Sequence, residues 1–550
     1  MFEKFKKLDI YLLCLIGITI LACFLFAGHY NEMLTDLGRE VYYPEQILKG
    51  KVLYKDLFNI YGPMSYMLNA LWYKIFGIKL ETLYFSGSFL ALFFVCGIYK
   101  SARLFLDKIS AFILGIFTIV LGVMSPVIFN FVFPYSQAML YGSVFFTWSA
   151  YFLARYYSKP QNTKFLIISS LFAGFAIANK YEFLLYEMFI CILIFVDYIK
   201  RKNIKNLLYS LLTFLIPILL PIIILFIQGL RLNDLLKSFH IVNTMTHTQT
   251  LKTFYSGVGI VPTHMLFKIL ALKTFLTAVI FGMIYIVLKI WDRNKFLSAS
   301  LGILFILLIT LFTNISVHEF IMFLPILTLI LLVINYKKLL LAEKVFVFSS
   351  LIASAKVFFS MLLYSYGSFC APGIITSFFI LNKDKKYLLK TSQLLLIILT
   401  LLCFSYSIKL QKTFSPVDSG RGTFYTKFEN AKVYKELINF IDIETKDSDN
   451  ILIVPEGMTI NFMTQRNGYD FYNSFIPLYI ETFGEEVITD YYKINNPEYI
   501  VIFNPNNREY GFSSICEDFA LSFCSFVNKK YNYDTEILGK EITVRIYKKK

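Results

Sequence analysis

Over most of this chain apolar residues neither alternate nor recur in stripes; they come in runs of 14 to 24 residues with few charges, set apart by short polar segments rich in lysine. A helix that crosses a bilayer needs roughly 20 apolar residues. About thirteen candidate runs are present, near 10–28, 83–99, 109–132, 137–154, 165–179, 183–199, 207–229, 265–288, 297–313, 320–336, 345–363, 369–382 and 388–408. Two of them, 165–179 and 369–382, are short enough to leave the number open by two. The pattern predicts an α-helical polytopic membrane protein of about 13 transmembrane helices.

Two stretches depart from that pattern. In the first, residues 29–82, Met64, Met67, Leu68, Leu71 and Ile75 fall on one helical stripe behind Pro63, and proline suits a first helical position. Tyr66, Trp72 and Tyr73 suit a headgroup layer, so this helix and a shorter one over about 35–49 are expected as amphipathic helices on the outer surface. In the second stretch, from 409 onward, "NILIVPEG", "PEYIVIFN" and "EITVRIY" read as strands. "ENAKVYKELINFI" and "EEVITDYYKI" have helical spacing, which predicts a small α/β domain. The polar, Gly- and Pro-containing "KTFSPVDSGRGTF" is expected as the linker before it. The chain therefore divides into residues 1–28 (cytoplasmic N-terminus and first span), 29–82 (first outer loop), 83–408 (membrane body) and 409–550 (extracytoplasmic domain).

Composition agrees with the pattern: 57% of residues are hydrophobic, 18% aromatic and 16% charged, with a mean hydropathy of +0.60. The net charge of +16 would suit nucleic acid, but its placement points to a membrane. With the N-terminus inside, the inner segments carry 23 Lys and Arg against 10 in the outer segments before the tail, the bias expected of a chain whose odd number of spans puts the C-terminal domain outside. No small-residue cleavage pattern follows the first run, so it is expected as a retained span. Six of the eight cysteines lie in or near apolar runs, where Cys acts as a small apolar residue. Cys516 and Cys524 would stand roughly 12 Å apart on a helix, too far for a disulfide.

Charged residues are scarce enough that each is a candidate. On the first predicted helix Asp36, Arg39 and Glu40 stand at i, i+3 and i+4 and share a face. A capping residue with an ion pair would account for them, although Gly38 three positions beyond Thr35 rules out a capping box. Alternatively a carboxylate walled in by apolar spans can act as a general base. Lys180 and Glu182 in "ANKYEFLLYE", and Lys356 in the outer third of the 345–363 run, could neutralise an anion; lysines snorkelling to the interface are the plainer account. The loop 230–264 adds Arg231, His240, His247, Lys252 and His264, of which Arg or Lys could hold phosphate. All five histidines fall on the predicted outer side, but their spacings match no ligand motif, and no metal ligand is assigned. His318 and Glu319 begin a span, and the tail loop "VPEGMTINFMTQRNGYDFYN" starts at a strand end.

Asp36, Arg39 and Glu40, followed by "PEQILKGKVLYKDLFNIYGPMSYMLNALWYKIFG", resemble the first outer loop of the glycosyltransferase C superfamily, in the branch with protein O-mannosyltransferases and lipid A aminoarabinose transferases. The motif covers about 30 residues, and the hydropathy profile extends the likeness weakly over the whole chain. The resemblance implies inverting transfer of a single sugar from a polyprenyl phosphate-linked donor to a glycan, glycolipid, lipid A or protein acceptor. It implies action at the outer face of the bacterial cytoplasmic membrane, with membrane lipids as the other partner and no nucleic acid. It makes Asp36 the catalytic base, with Glu40 and Asp56 orienting acceptor or sugar. It carries His318 over as a donor-phosphate or sugar contact; Arg39, Tyr61, Lys180, Glu182, Arg231 and Lys356 are the other expected substrate contacts. It requires no cofactor and admits a divalent cation. The Trp-Trp-Asp-type motif of oligosaccharyltransferases and a second Asp beside Asp36 are both missing, which argues against en bloc transfer of an oligosaccharide. The alternative, a transporter or flippase of lipid-linked glycans, should show related halves with charges near mid-membrane, and neither is evident in the sequence.

Overall fold

The computed structural model describes residues 9–30, 33–34, 36–158, 162–312, 323–468, 471–472, 474–505 and 507–550. Each apolar run contains a helix. Four helices, Leu80–Arg103, Ile204–Ile227, His264–Trp291 and Lys386–Gln411, are long and apolar enough to cross a membrane, and six further apolar helices are shorter, among them Ile10–Phe26 and Ala371–Asn382. Among the described residues, then, four of the thirteen expected spans reach full spanning length and composition. Large apolar side chains point outward from several helices, including Phe24, Leu272, Val333 and Leu401, an outer surface suited to lipid.

One expected span breaks early, and the break matters. The helix over Leu341–Ala353 stops inside the 345–363 run, and Lys356 lies on a 3₁₀ turn, Ala355–Val357, beyond its end. Ser354 at the stop donates its hydroxyl to Leu351 O, the kind of side-chain bond that competes with a continuing helix. Lys356 is thus at a helix terminus and not within a span.

The first outer loop forms the two expected helices, Leu37–Leu48 and Met64–Phe76. The second is not a surface shelf. Tyr66 and Tyr73 are buried, Tyr66 against Tyr43 and Tyr73 stacked on Phe462 of the C-terminal region, whereas Leu71, Ile75 and Phe76 remain exposed. The aromatic residues were expected in headgroups because an amphipathic helix at a membrane suits them; instead the C-terminal domain covers that face.

That domain carries a four-stranded sheet in the order β3-β4-β6-β5, from β3 (Ile451–Val454), β4 (Tyr499–Phe503), β5 (Tyr531–Leu538) and β6 (Thr543–Lys549). The β3–β4 pair is parallel, with Ile453 opposite Val501, and the other pairs are antiparallel. The helices Phe428–Glu444 and Glu485–Ile494 form as expected. The predicted linker is instead a hairpin of β1 (Phe414–Ser419) and β2 (Gly422–Lys427). Its inward residues Val417 and Phe424 are fully buried, and Arg421 at its tip bonds Glu45 Oε1 (2.9 Å) and Ile78 O (2.9 Å). Tyr425 N–H donates to Gly28 O at 2.7 Å, so the hairpin clamps the chain where it leaves its first helix. Cys516 and Cys524 are joined in a disulfide with a Cα separation of 5.5 Å. The helical premise fails there because the helix begins only at Leu521, leaving Cys516 in a preceding turn.

Candidate functional site

Asp36 stands at the N-terminus of the Leu37–Leu48 helix, yet its side chain makes no capping bond. It turns to Arg39 instead, whose Nη2 lies 2.5 Å from Asp36 Oδ1. The backbone at Asp36 is left-handed, with φ of 63°, a conformation that non-glycine residues adopt at a cost of about 1 kcal/mol or more. The ion pair of the plainer account is present, and Thr35, its capping residue, lies outside the described residues. Asp36 is also about one-third exposed, while Arg39 beside it is almost wholly buried.

The C-terminal domain completes this side of the site. Gly38 lets it approach: a Cβ there would lie 2.8 Å from Met458 Cβ and 2.9 Å from Thr459 N. Thr459 donates its hydroxyl to Met33 O. At the end of β3, Glu456 accepts the Asp36 N–H at 3.4 Å and the Ser474 hydroxyl at 3.3 Å. Arg39 Nη1 donates to the Tyr479 hydroxyl at 3.2 Å. Burial, then the nearby Asp36 charge, push the Glu456 carboxyl up to about 8. Glu40 lies beneath, fully buried, with the Tyr66 hydroxyl on its Oε1 at 3.3 Å and the Gln137 backbone beside it. Burial outweighs the pull of Arg39 and pushes it up to about 8 as well.

Tyr61 connects this acidic half to a basic one. The Arg39 guanidinium lies 5.6 Å from the Tyr61 ring centroid, and Lys180 Nζ lies 4.4 Å from it. Gly62 makes the junction, donating its N–H to Asn179 O at 3.1 Å. No side chain fits there, since a Cβ would fall 2.0 Å from Ala178 O. Lys180 is 2% exposed and donates to the Tyr135 hydroxyl (3.0 Å) and Ser136 Oγ (3.4 Å). Glu182 accepts from Lys356 Nζ on Oε1 and from the Tyr366 hydroxyl on Oε2, with Lys180 Nζ 3.5 Å from Oε2. Burial pulls the Lys180 ammonium down to about 8 against the pull of Glu182. Burial acts against the charge of Glu182 too, but the two lysines prevail and hold its carboxyl below the usual range.

Of the sequence candidates, Asp36, Arg39, Glu40, Tyr61, Lys180, Glu182 and Lys356 are gathered here. Asp56 is not: its Oδ2 accepts Val52 N–H at 2.8 Å within a local turn. Arg231 is an exposed residue at the start of the Leu232–His247 helix, bonded through its N–H to Asp234. His318 and Glu319 lie outside the described residues. Glu456, Tyr479, Tyr135 and Tyr366 were not anticipated. Glu456 had a signal, since it sits in the tail loop noted at a strand end; the tyrosines are lost among 38 in the chain.

Among the described residues no three His, Cys, Asp or Glu side chains gather to hold a metal ion, and the best-placed carboxylate, Asp36, already carries Arg39. Cavities of about 560 Å³ between Lys49, Asn467 and Tyr491, and of about 490 Å³ beside Cys516 and Arg545, share no residue with the cluster. Charge brought into burial marks this site, whereas those clefts are open and polar.

Residues 61–225, which begin at Tyr61 and include Lys180 and Glu182, match the model of the dolichyl-phosphate-mannose-protein mannosyltransferase family. No curated protein matches the chain. Among solved structures it is similar to ArnT from Cupriavidus metallidurans bound to undecaprenyl phosphate, with 10% identity and a TM-score of 0.49 over 97% of each chain. It is also similar to the oligosaccharyltransferase of Archaeoglobus fulgidus in complex with zinc and sulfate, with 10% identity and a TM-score of 0.47 over 90% of this chain and 67% of that one. The family match begins within the first outer loop, behind the helix that carries Arg39 and Glu40, and runs on through Lys180 and Glu182.

Proposed function

We propose that the protein is an inverting glycosyltransferase that moves a single sugar from a polyprenyl phosphate-linked donor to an acceptor hydroxyl at the outer face of the bacterial cytoplasmic membrane. The observation that carries the reading is the meeting, across the Tyr61 ring, of a partly exposed carboxylate at Asp36 with a buried ammonium at Lys180. The matched family's name supports a lipid-phosphate-linked sugar as donor. The disulfide at Cys516 and Cys524 supports an oxidising, outer location for the C-terminal domain, as does the lysine-rich character of the segments expected inside.

In the reaction, the acceptor oxygen attacks the anomeric carbon from the face opposite the phosphate. The new carbon–oxygen bond forms as the anomeric carbon–phosphate oxygen bond breaks, and its electron pair leaves on the lipid phosphate. The acceptor proton passes to Asp36. Arg39 holds the Asp36 carboxylate in place through its short ion pair, and Lys180 with Lys356 offsets the charge that develops on the leaving phosphate. Glu40 and Glu456 support the base from its buried side.

Asp36→Asn tests the assignment, because it keeps the size and the bond from Arg39 but removes the base. Envelope glycans and lipid-linked sugars are compared by mass spectrometry in wild-type, deletion and Asp36→Asn cells. The variant should reproduce the deletion, with one sugar missing from an envelope product and its polyprenyl phosphate donor accumulating; the mass difference then names the sugar. A folded variant that matches wild type while the deletion does not would remove Asp36 from the chemistry and favour transport of a lipid-linked glycan.

A further inference from the structure

Glu182 is held as a bound anion would be. Two ammonium groups and a phenol hydroxyl converge on its carboxylate, from Lys180, Lys356 and Tyr366. Glu182 sits on a single 3₁₀ turn, Tyr181–Phe183, and its side chain is about one-fifth exposed. Lys180 closes the Lys164–Asn179 helix, and Lys356 sits on the turn after the Leu341–Ala353 helix. Aromatic rings wall the pair, with Lys180 Nζ 5.2 Å and Lys356 Nζ 5.3 Å from the Tyr366 centroid, and Lys356 Nζ 5.9 Å from that of Tyr255. Two like charges share one carboxylate inside an aromatic wall.

We infer that Glu182 is a built-in substitute for phosphate: it fills the Lys180–Lys356 pair in the free protein, swings out when the phosphate of the lipid-linked donor enters, and returns as the lipid phosphate leaves. The inference rests on the proposed transferase reading for the identity of that phosphate. The chemistry is an exchange of anions on one set of donors. A donor phosphodiester carries one negative charge, as the carboxylate does. The product is a monoester whose second proton leaves near pH 6, so it binds the lysines more tightly than the donor and is the species a competing carboxylate helps to expel.

The sign of one binding change decides the matter. If Glu182 occupies the lysines in about nine molecules of ten or more, freeing them tightens phosphate binding about tenfold or more, because apparent affinity scales with the competent fraction. If Glu182 is a buttress that holds two like charges together, removing it weakens binding. Full-length protein in lipid nanodiscs is titrated with undecaprenyl phosphate and, separately, with inorganic phosphate, for wild type and Glu182→Gln. Binding of undecaprenyl phosphate about tenfold tighter in Glu182→Gln is the expected result; equal or weaker binding overturns the inference. Should Glu182→Gln not fold, Glu182→Asp decides, since it keeps the charge but falls short of spanning both lysines: tighter binding than wild type supports the exchange, and equal or weaker binding overturns it. A gain for the lipid alone assigns the exchange to lipid phosphate, and an equal gain for inorganic phosphate assigns it to the phosphate group by itself. No binding of either probe to any variant overturns it. Asp36→Asn leaves both lysines and Glu182 in place, so adding Glu182→Gln to it should tighten binding by the same factor as in wild type, and a failed base assignment and a failed exchange are read in different comparisons.

Discussion

Lys180 sets an alkaline limit on the reaction. Burial brings its ammonium down to about 8, so the charged form, about nine-tenths of the protein at pH 7, falls to about one-tenth at pH 9. The rate constant kcat/KM reports the free enzyme and should fall about tenfold for each pH unit above 8. Bound phosphate adds negative charge beside Lys180 and favours its ammonium, which places the limb in kcat at higher pH than the limb in kcat/KM. Arg does not deprotonate in this range, so Lys180→Arg should move the limb beyond pH 10 even if it lowers the plateau. Lys180→Met removes one fixed cation from the leaving group and should cost roughly 10²–10³ in rate, about 2.7–4 kcal/mol. The assay is steady-state transfer by protein in nanodiscs between pH 6 and 10, with the donor that accumulates in Asp36→Asn cells. Glu40 and Glu456 are also pushed up to about 8, and the arginine variant separates them from Lys180. A limb that stays near pH 8 in Lys180→Arg would show that one of those carboxyls, and not Lys180, controls the decline.

Three further outcomes follow from contacts around the site. Gly62→Ala drives a Cβ into Ala178 O, a backbone atom, and should cost roughly 1–3 kcal/mol of stability while separating Tyr61 from Lys180; unchanged melting and activity would contradict the close approach. Gly38→Ala meets Met458 and Thr459 in the same way, and limited proteolysis should cut more readily between the loop helices and the sheet domain. Cys516→Ser opens a nine-residue loop closed by the disulfide, worth roughly 2.5 kcal/mol by loop-closure entropy. Reductant should therefore lower the unfolding midpoint of the C-terminal domain in wild type and leave that of Cys516→Ser unmoved.

Chemistry concentrated in one loop was legible in the sequence; chemistry assembled across the fold was only half so. Asp36, Arg39 and Glu40 stand out because three charges on one helical face are rare in an apolar chain. Lys180 and Lys356 stand out for the same reason, but nothing in the sequence pairs them through Glu182, since that contact depends on a helix stopping at Ala353. A run of apolar residues from 345 to 363 conceals the stop, and only Ser354 hints at it. The hairpin at β1 and β2 was misread because Ser419, Gly420, Arg421 and Gly422 have linker composition, whereas Val417 and Phe424 on either side carry the strand pattern. Cys516 and Cys524 were separated by assuming a helix that starts five residues too early. Two of these misses share a cause, a helix extended past its end at Ala353 or ahead of its start at Leu521.

The charges of the cluster show why the C-terminal domain belongs to the site. Arg39, Lys180 and Lys356 supply three positive charges, and the Asp36 and Glu182 carboxylates offset two of them. Glu40 and Glu456, pushed up to about 8 by burial, are mostly neutral at pH 7 and leave one positive charge in excess. Were both ionised as exposed glutamates are, the same residues would sum to one negative charge and would repel a phosphate. The excess therefore comes from burying two acids and not from adding bases. For Glu456 the burial depends on the domain's docking over the Leu37–Leu48 helix, through Gly38, Thr459 and Tyr479. Loosening that dock lets Glu456 ionise beside Asp36 and cancels the excess. Gly38→Ala, far from either lysine in sequence and in contact with neither, should then weaken undecaprenyl phosphate binding at pH 7 and restore part of it at pH 5, where an exposed Glu456 regains some of its protons. A loss of binding identical at both pH values would mean that the domain acts by shape alone.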